Sequence, residues 1–506
     1  MNPATPDGEI LERNKIRTFV TFVHLRTIPM NPKQPSIVQS LVPILVLLGL
    51  IMVTVLGTGA DALAGANQLS LLVASGVGAG IAVWNGVRWA EIMQGMVHTI
   101  SASLPAILIL LMVGMLSGSW MISGVIPTMI YYGLEILRPA YFLPACVVIA
   151  AAVAVATGSS WSTIATIGVA LIGIGQALGF DMAMTAGAII SGAYFGDKVS
   201  PLSDTTNLAS AVTGTDLFVH IRYMMQTTVP SILLTLAAFG VLTVVVGGQS
   251  EAAASGVETF QRTIAGTYRI SPWLLLIPVL VVVMIVKKIP AVAVLMIGSV
   301  IAVGAAALFQ RELLATLVPE GRLTLGAGYE VLTRSLYGAI APQTGDAAVD
   351  ELLATGGMAG MLNTVWLIIT AMVFGGVMEA GRFLERITTA ILSRVRSTGG
   401  LVSTATGSCL LFNLTTGDQY MSIVVPGKMF LGAFRQNGLQ PRLLSRTLED
   451  VGTATSVLIP WNTCGATQAT ILGVPTLVYL PFAVFCWLSP LVTLVVAWSG
   501  WGIRKN

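Results

Sequence analysis

The stretch SGAYFGDKVSPLSDTTNLAS, Ser191 to Ser210, puts Asp197, Lys198 and Asp204 within eight positions of one another. Its flanks read as membrane hydrocarbon: AMTAGAII precedes it, and TTVPSILLTLAAFGVLTVVVGG follows from Thr227 to Gly248. An ionised side chain at the bilayer centre costs roughly 2.5–3.5 kcal/mol on insertion scales, so three together cannot face lipid. Pro201 lacks a backbone donor and drives Ser200 out of the helical region. The stretch therefore predicts a helix that breaks at membrane depth and turns its freed backbone and its Asp, Ser, Thr and Asn side chains to a cavity. Unwound backbone is tolerated there only when buried in protein or lining water. Breaks of this kind form the binding sites of secondary transporters.

Composition points the same way. Of 506 residues, 55% are hydrophobic and only 10% charged, against about 25% charged in soluble domains. This predicts an all-α polytopic membrane protein. The net charge of +3 is spread over loops and implies no nucleic-acid partner. Cys146, Cys409, Cys464 and Cys486 are far apart and mostly within apolar runs, so they read as packing thiols; Cys464 stands out by its polar neighbours.

The first 36 residues are polar and lack a signal peptide's short apolar core behind a basic end. They read as a cytoplasmic arm, residues 1–36, whose Arg13, Lys15, Arg17, Arg26 and Lys33 place that end inside. Runs long enough to span (roughly 20 residues) begin at Ile37 to Leu56 and Leu69 to Val87. RWAEIMQGMVHTI, Arg88 to Ile100, reads as an interfacial amphipathic segment before a span from Leu104 to Met121.

The two halves match at an offset of 259 residues: Thr157-Gly158 falls on Thr416-Gly417, Gly179 on Gly438, Pro201 on Pro460 and Gly214 on Gly473. The expected organisation is repeat one at 37–247, a linker at 248–271, and repeat two at 272–506 with a polar insertion at 310–353. Charge suggests that the repeats are inverted. The first hairpin turn of repeat one has no cation, whereas its counterpart in repeat two is Lys287-Lys288, so the positive-inside rule puts these turns on opposite sides. Arg504-Lys505 returns the C-terminus to the cytoplasm.

GDKVSPLSDTTNLA, TGSSWST, GSWMISGVIPTMIYYGL and IPWNTCGATQATILGV together resemble segments of the NhaC sodium/proton antiporter family, and the likeness covers nearly the whole chain after residue 36. It implies opposed re-entrant hairpins meeting near the midplane, in a membrane of the bacterial inner-membrane type. The implied activity is antiport of Na⁺ against H⁺, with an organic acid or amino acid exchanged or coupled in some members. An alternative is a Na⁺-coupled or exchange carrier for a carboxylate or amino acid in which Na⁺/H⁺ exchange is not the main activity. No cofactor is expected beyond the transported ions. The expected partners are membrane lipid and those ions; a homodimer is left open.

Hard oxygens suit a small cation, and Asp197, Asp204, Thr205, Thr206 and Asn207 supply them. Asp204 is the first choice for a carboxylate that binds a proton and a cation in turn, since burial favours the neutral carboxyl and lets the two compete. Asp418, in TTGDQY, occupies the place that repeat one fills with hydroxyls. Asp204, Thr205, Asn207 and Asp418 are the expected Na⁺ ligands. Ser159, Ser160, Ser162 and Thr163 follow the first Thr-Gly break, where helix-start amides can face a carboxylate. Gln419, Ser203, Asn462, Thr463, Cys464 and Thr467 are expected to complete the lining. Lys198 reads as a partner of Asp197, or else as an attractor of an anionic substrate. Glu379, Glu449 and Asp450, with Arg382, Arg442 and Arg446, read as solvated pairs near span ends, and His220 as a surface histidine.

Two other classes fit less well. An intramembrane aspartyl enzyme needs a GxGD tetrad, but the two sites read YFGD and TTGD; HExxH, GxSxG and CxxC are absent. Gly427-Lys428 runs into Met429, so there is no phosphate-binding loop for ATP drive. A passive channel is excluded only weakly by sequence, though paired breaks with unequal charge suit alternating access better.

Overall fold

The computed structural model describes residues 33–58, 65–247, 251–318, 324–342, 344–346, 349–350, 353–392, 395 and 397–503. The arm up to residue 32, most of the first loop and Arg504-Lys505 lie outside the described residues. Within them the chain is helical, with a single isolated antiparallel bridge between Ile340 and Thr355.

The first half comprises α1 (Ile37–Thr58), α2 (Ala66–Trp84), α3 (Trp89–Ile122), α4 (Val125–Ile136), α5 (Phe142–Thr157), α6 (Ser160–Ala177), α7 (Met182–Val199), α8 (Asp204–Thr213) and α9 (Leu217–Gly247). After α10 (Glu251–Thr267) come α11 (Leu276–Val286), α12 (Ala291–Phe309), α13 (Leu325–Tyr337), α14 (Leu362–Ala380) and α15 (Phe383–Leu392). Next are α16 (Thr398–Thr416), α17 (Gln419–Gln436) and α18 (Pro441–Leu448), the last continued by a π turn at Glu449–Thr453 and by Ala454–Ser456. α19 (Thr463–Leu472) and α20 (Val484–Ser499) close the chain. A second π turn, Ile164–Gly168, lies within α6. Among the described residues, 8 helices are long and apolar enough to cross a membrane, or up to 10 if each of two bent pairs is one span.

Two stretches differ from the sequence reading. Arg88 to Ile100 is no separate surface helix: α3 runs unbroken for 34 residues with Pro105 inside it. At 1.5 Å per residue that is about 51 Å, well beyond a hydrocarbon core of about 30 Å, so one end projects past it. The 248–271 connection is itself largely helical, and Phe260 and Ile264 of α10 are buried.

The breaks fall where glycine and proline put them. Ser200 is extended (φ −77°, ψ 129°), as a residue before proline must be, and the helix resumes at Asp204 behind the cap residue Ser203. Gly158 ends α5 at φ 68°, ψ 27°, a conformation that costs other residues roughly 1–2 kcal/mol. A Cβ there would also lie 2.5 Å from Leu202 Cβ. At the 259-residue offset, Gly417 has φ 64°, and its Cβ would meet the carbonyl of Trp461 at 3.2 Å. Each tip therefore rests on the break of the other helix in its own half. Ser159 and Asp418 cap the helices after the two tips, and Ser203 and Asn462 cap those after the two breaks.

α5 and α7 pack backbone to backbone. A Cβ on Gly196 would lie 2.3 Å from the Ala151 carbonyl, so only glycine allows the approach. This contact carries the next residue, Asp197, to the start of α6.

Candidate functional site

A cavity of about 600 Å³ lies where α3, both tips, both breaks and the α11–α12 turn meet. Asp197, Asp204 and Asp418 all line it. So do Ser159, Ser162, Thr205, Asn207, Gln419 and Thr463; Lys288 is the cation in the lining. Carboxylates more than 200 residues apart in sequence thus share one space, with a negative excess that favours a cation.

The three carboxylates are held differently. Asp197 Oδ2 accepts from the Ser160 N–H at 2.9 Å and from Ser160 Oγ at 2.7 Å. The amide donor that the sequence left for a substrate carboxylate at the first tip is thus taken by the protein's own Asp197. Asp418 caps α17: Oδ1 accepts from Tyr420 N at 2.8 Å and Met421 N at 3.0 Å. Asp204 opens α8 and is exposed to the cavity, the least committed of the three.

Around Asp204 the side chains secure the break. Asn207 Nδ2 donates to the carbonyls of Pro201 (3.0 Å) and Ser203 (2.7 Å), leaving its Oδ1 as an acceptor. Thr206 Oγ1 donates to the Lys198 carbonyl at 2.9 Å, outside the lining. Ser203 Oγ lies 3.1 Å from Thr205 Oγ1, which donates to Glu449 Oε1 at 2.9 Å. Ser160, Thr163, Ser203, Asn462, Cys464 and Thr467 are buried behind the lining rather than in it. Asn462 is a brace: Oδ1 caps Cys464 N at 3.0 Å and Nδ2 donates to Asn413 Oδ1 at 3.2 Å.

Lys198 does not pair with Asp197. Neighbouring residues on a helix point about 100° apart and do not face each other. Its Nζ forms an ion pair with Asp450 and donates to Ser489 Oγ at 2.8 Å. Asp450 Oδ2 accepts from Thr227 Oγ1 at 2.7 Å and Thr493 Oγ1 at 2.5 Å. Arg446 lies over the Tyr223 ring at 4.8 Å, with Nε 3.9 Å from Asp450. Arg446, Glu449 and Asp450 are fully buried, so the reading of solvated pairs is wrong for them; Glu379 is exposed as expected. His220 is buried too, its Nδ1 2.5 Å from Ser445 Oγ. Their partners come from α7, α9 and α20, which local sequence does not announce. Glu449 is the residue that links this network to the cavity, through Thr205.

Broken helices that converge on one acidic cavity within a membrane bundle define a secondary transporter. The chain belongs to the Na⁺/H⁺ antiporter family, whose sequence profile matches residues 192–501. It is 35% identical over 422 residues to the Na⁺/H⁺ antiporter NhaC of Alkalihalophilus pseudofirmus, covering 83% of this chain and 87% of that one. It is 38% identical over 471 residues to the arginine/ornithine antiporter ArcD of Halobacterium salinarum, covering 93% of each. The malate-2H⁺/Na⁺-lactate antiporter of Bacillus subtilis is 34% identical over 442 residues, covering 87% of this chain and 91% of the relative.

Proposed function

We propose that this chain is a secondary active antiporter that exchanges Na⁺ for H⁺ through the cavity shared by Asp197, Asp204 and Asp418. The convergence of the three carboxylates carries the reading. Asp204, open to the cavity, takes a proton and Na⁺ in turn, and Asp418 supplies the opposing charge from the second half. Among the described residues no three His, Cys, Asp or Glu side chains form a metal-binding group. The remaining ligands to the travelling ion are then Thr205 Oγ1, Asn207 Oδ1 and unwound carbonyls, an all-oxygen set that suits Na⁺. The two halves act as inverted repeats, and the Lys288 side of the cavity faces the cytoplasm by the positive-inside rule.

A second reading has a specific observation behind it. About 600 Å³ is far more than one dehydrated cation fills, and Lys288, Trp161 and Tyr420 share the lining. Those groups suit a carboxylate compound or amino acid travelling with or against the ion. The relatives named for arginine/ornithine and malate/lactate exchange fit that version.

Flux into proteoliposomes under an imposed Na⁺ or pH gradient tests both readings, with a panel of organic acids and amino acids. Asp204→Asn is expected to abolish coupled exchange while leaving folded yield intact. Near-normal exchange by that variant removes Asp204 from the mechanism; exchange that needs an organic substrate favours the second reading.

A further inference from the structure

A second cavity, of about 420 Å³, sits away from the transport site, where the chain enters α1 beside the end of α2 and the amphipathic helix α15. Lys33, Gln34, Ser36, Gln39, Asn85 and Arg386 supply its polar lining, without a carboxylate. Arg386 Nε donates to the Pro35 carbonyl at 3.1 Å, which fixes the guanidinium at the cavity wall with its terminal nitrogens free of protein acceptors. Ser36 N donates to Gln39 Oε1 and Gln39 N to Ser36 Oγ, so the Gln39 amide nitrogen is also left over. Asn85 is only 8% exposed, and its Nδ2 has no hydrogen-bond partner. A buried donor without a partner normally has an acceptor to meet. Two cations and this amide surround a space with no anion of its own.

We propose that this cavity holds the phosphate headgroup of an anionic phospholipid. Its rim argues for lipid rather than for a free anion. Trp84 is 86% exposed at the cavity, and Trp89 is exposed just across the turn; tryptophan in that setting marks the membrane interface. From the cavity, Val38, Leu41, Leu45, Leu48 and Met52 form an exposed apolar stripe along α1, at the helical spacing of one face. Acyl chains have a track to follow from a headgroup held by Lys33 and Arg386. Basic pockets between membrane helices are known to take such headgroups. The bound lipid would tie α15 to the entry of α1.

Native mass spectrometry and thermal unfolding of the delipidated full-length protein in detergent test this, with phosphatidylglycerol, phosphatidylcholine or inorganic phosphate added. One phosphatidylglycerol retained per chain and a raised melting temperature are expected, with neither effect from phosphatidylcholine or phosphate. Lys33→Gln with Arg386→Gln should weaken retention about tenfold or more, since one charged hydrogen bond is worth that much. Arg386→Gln also removes the tie to Pro35. Lys33→Gln alone, whose side chain has no hydrogen bond or ion pair to lose, must therefore show a several-fold loss with an unchanged lipid-free melting temperature. Equal retention by wild type and these variants overturns the proposal. So does equal retention of phosphatidylcholine, or stabilisation by phosphate alone.

Discussion

Lys198→Met is expected to cost the folded protein about 3 kcal/mol, and the network fixes the size of that loss. The Lys198 side chain is 1% exposed and that of Asp450 is 0% exposed, so solvent cannot replace either partner. Breaking a buried pair costs roughly 3–5 kcal/mol because the other charge is stranded. Asp450 keeps Thr227 and Thr493 as donors, with Arg446 at 3.9 Å, which places the loss at the low end. That is about a hundredfold in the folding equilibrium. Adding Asp450→Asn to Lys198→Met removes the stranded charge while the two hydroxyls can still donate to the amide oxygen. The double variant should recover at least half of the loss, a coupling of about 1.5 kcal/mol. Equilibrium unfolding in mixed micelles, run as a double-mutant cycle, measures both numbers. Additive losses, or a single-variant loss below about 1 kcal/mol, would refute the reasoning. Transport by the folded fraction should keep its apparent Na⁺ affinity, since the Lys198 side chain lies outside the cavity.

Further expectations concern the tips and the ion. Gly158→Ala should cost well over the 1–2 kcal/mol of a left-handed alanine, because its Cβ meets Leu202 at 2.5 Å, whereas Gly214→Ala, with nothing within 4 Å, should cost only that strain; thermal unfolding separates them. Ser160→Ala removes one of two donors to Asp197 Oδ2 and should cost about 1.5–3 kcal/mol, read by the same unfolding assay, with the Ser160 N–H still in place. Where one proton is exchanged for one ion at a shared carboxylate, the apparent KM for Na⁺ should rise about tenfold for each pH unit lowered through the site's titration. Na⁺ flux at graded pH checks this, and a KM that ignores pH would separate the proton from the ion site.

The breaks were legible because proline and glycine act locally. Pro201 forces Ser200 extended, and Gly158 and Gly417 supply the left-handed residue after each tip, whatever surrounds them. The acidic cavity was legible for a second reason, since a carboxylate amid hydrocarbon demands a wet or polar environment. What could not be read was pairing across helices. Lys198 looked like the neighbour of Asp197, yet its partner stands on α18, 252 positions on. Arg446, Glu449 and Asp450 looked like a solvated span end because five polar residues within the run SRTLED hide no periodicity from the eye. Only packing against α7, α9 and α20 turns that face inward. His220 was misread for the same reason, its partner being Ser445.

The wide helical turns stand at places that do not correspond. Shifted by 259 residues, the one at Ile164–Gly168 falls within regular α17, and the one at Glu449–Thr453 falls back within regular α7. Such a turn is one surplus residue, and it can slide along a helix as a dislocation slides through a crystal, swivelling what it passes by about 100°. One half keeps its slack behind a row of hydroxyls, the other under Arg446, Glu449 and Asp450. Kindred sequences have thus been given different joints, and equal loads on the two halves would make them yield at different points.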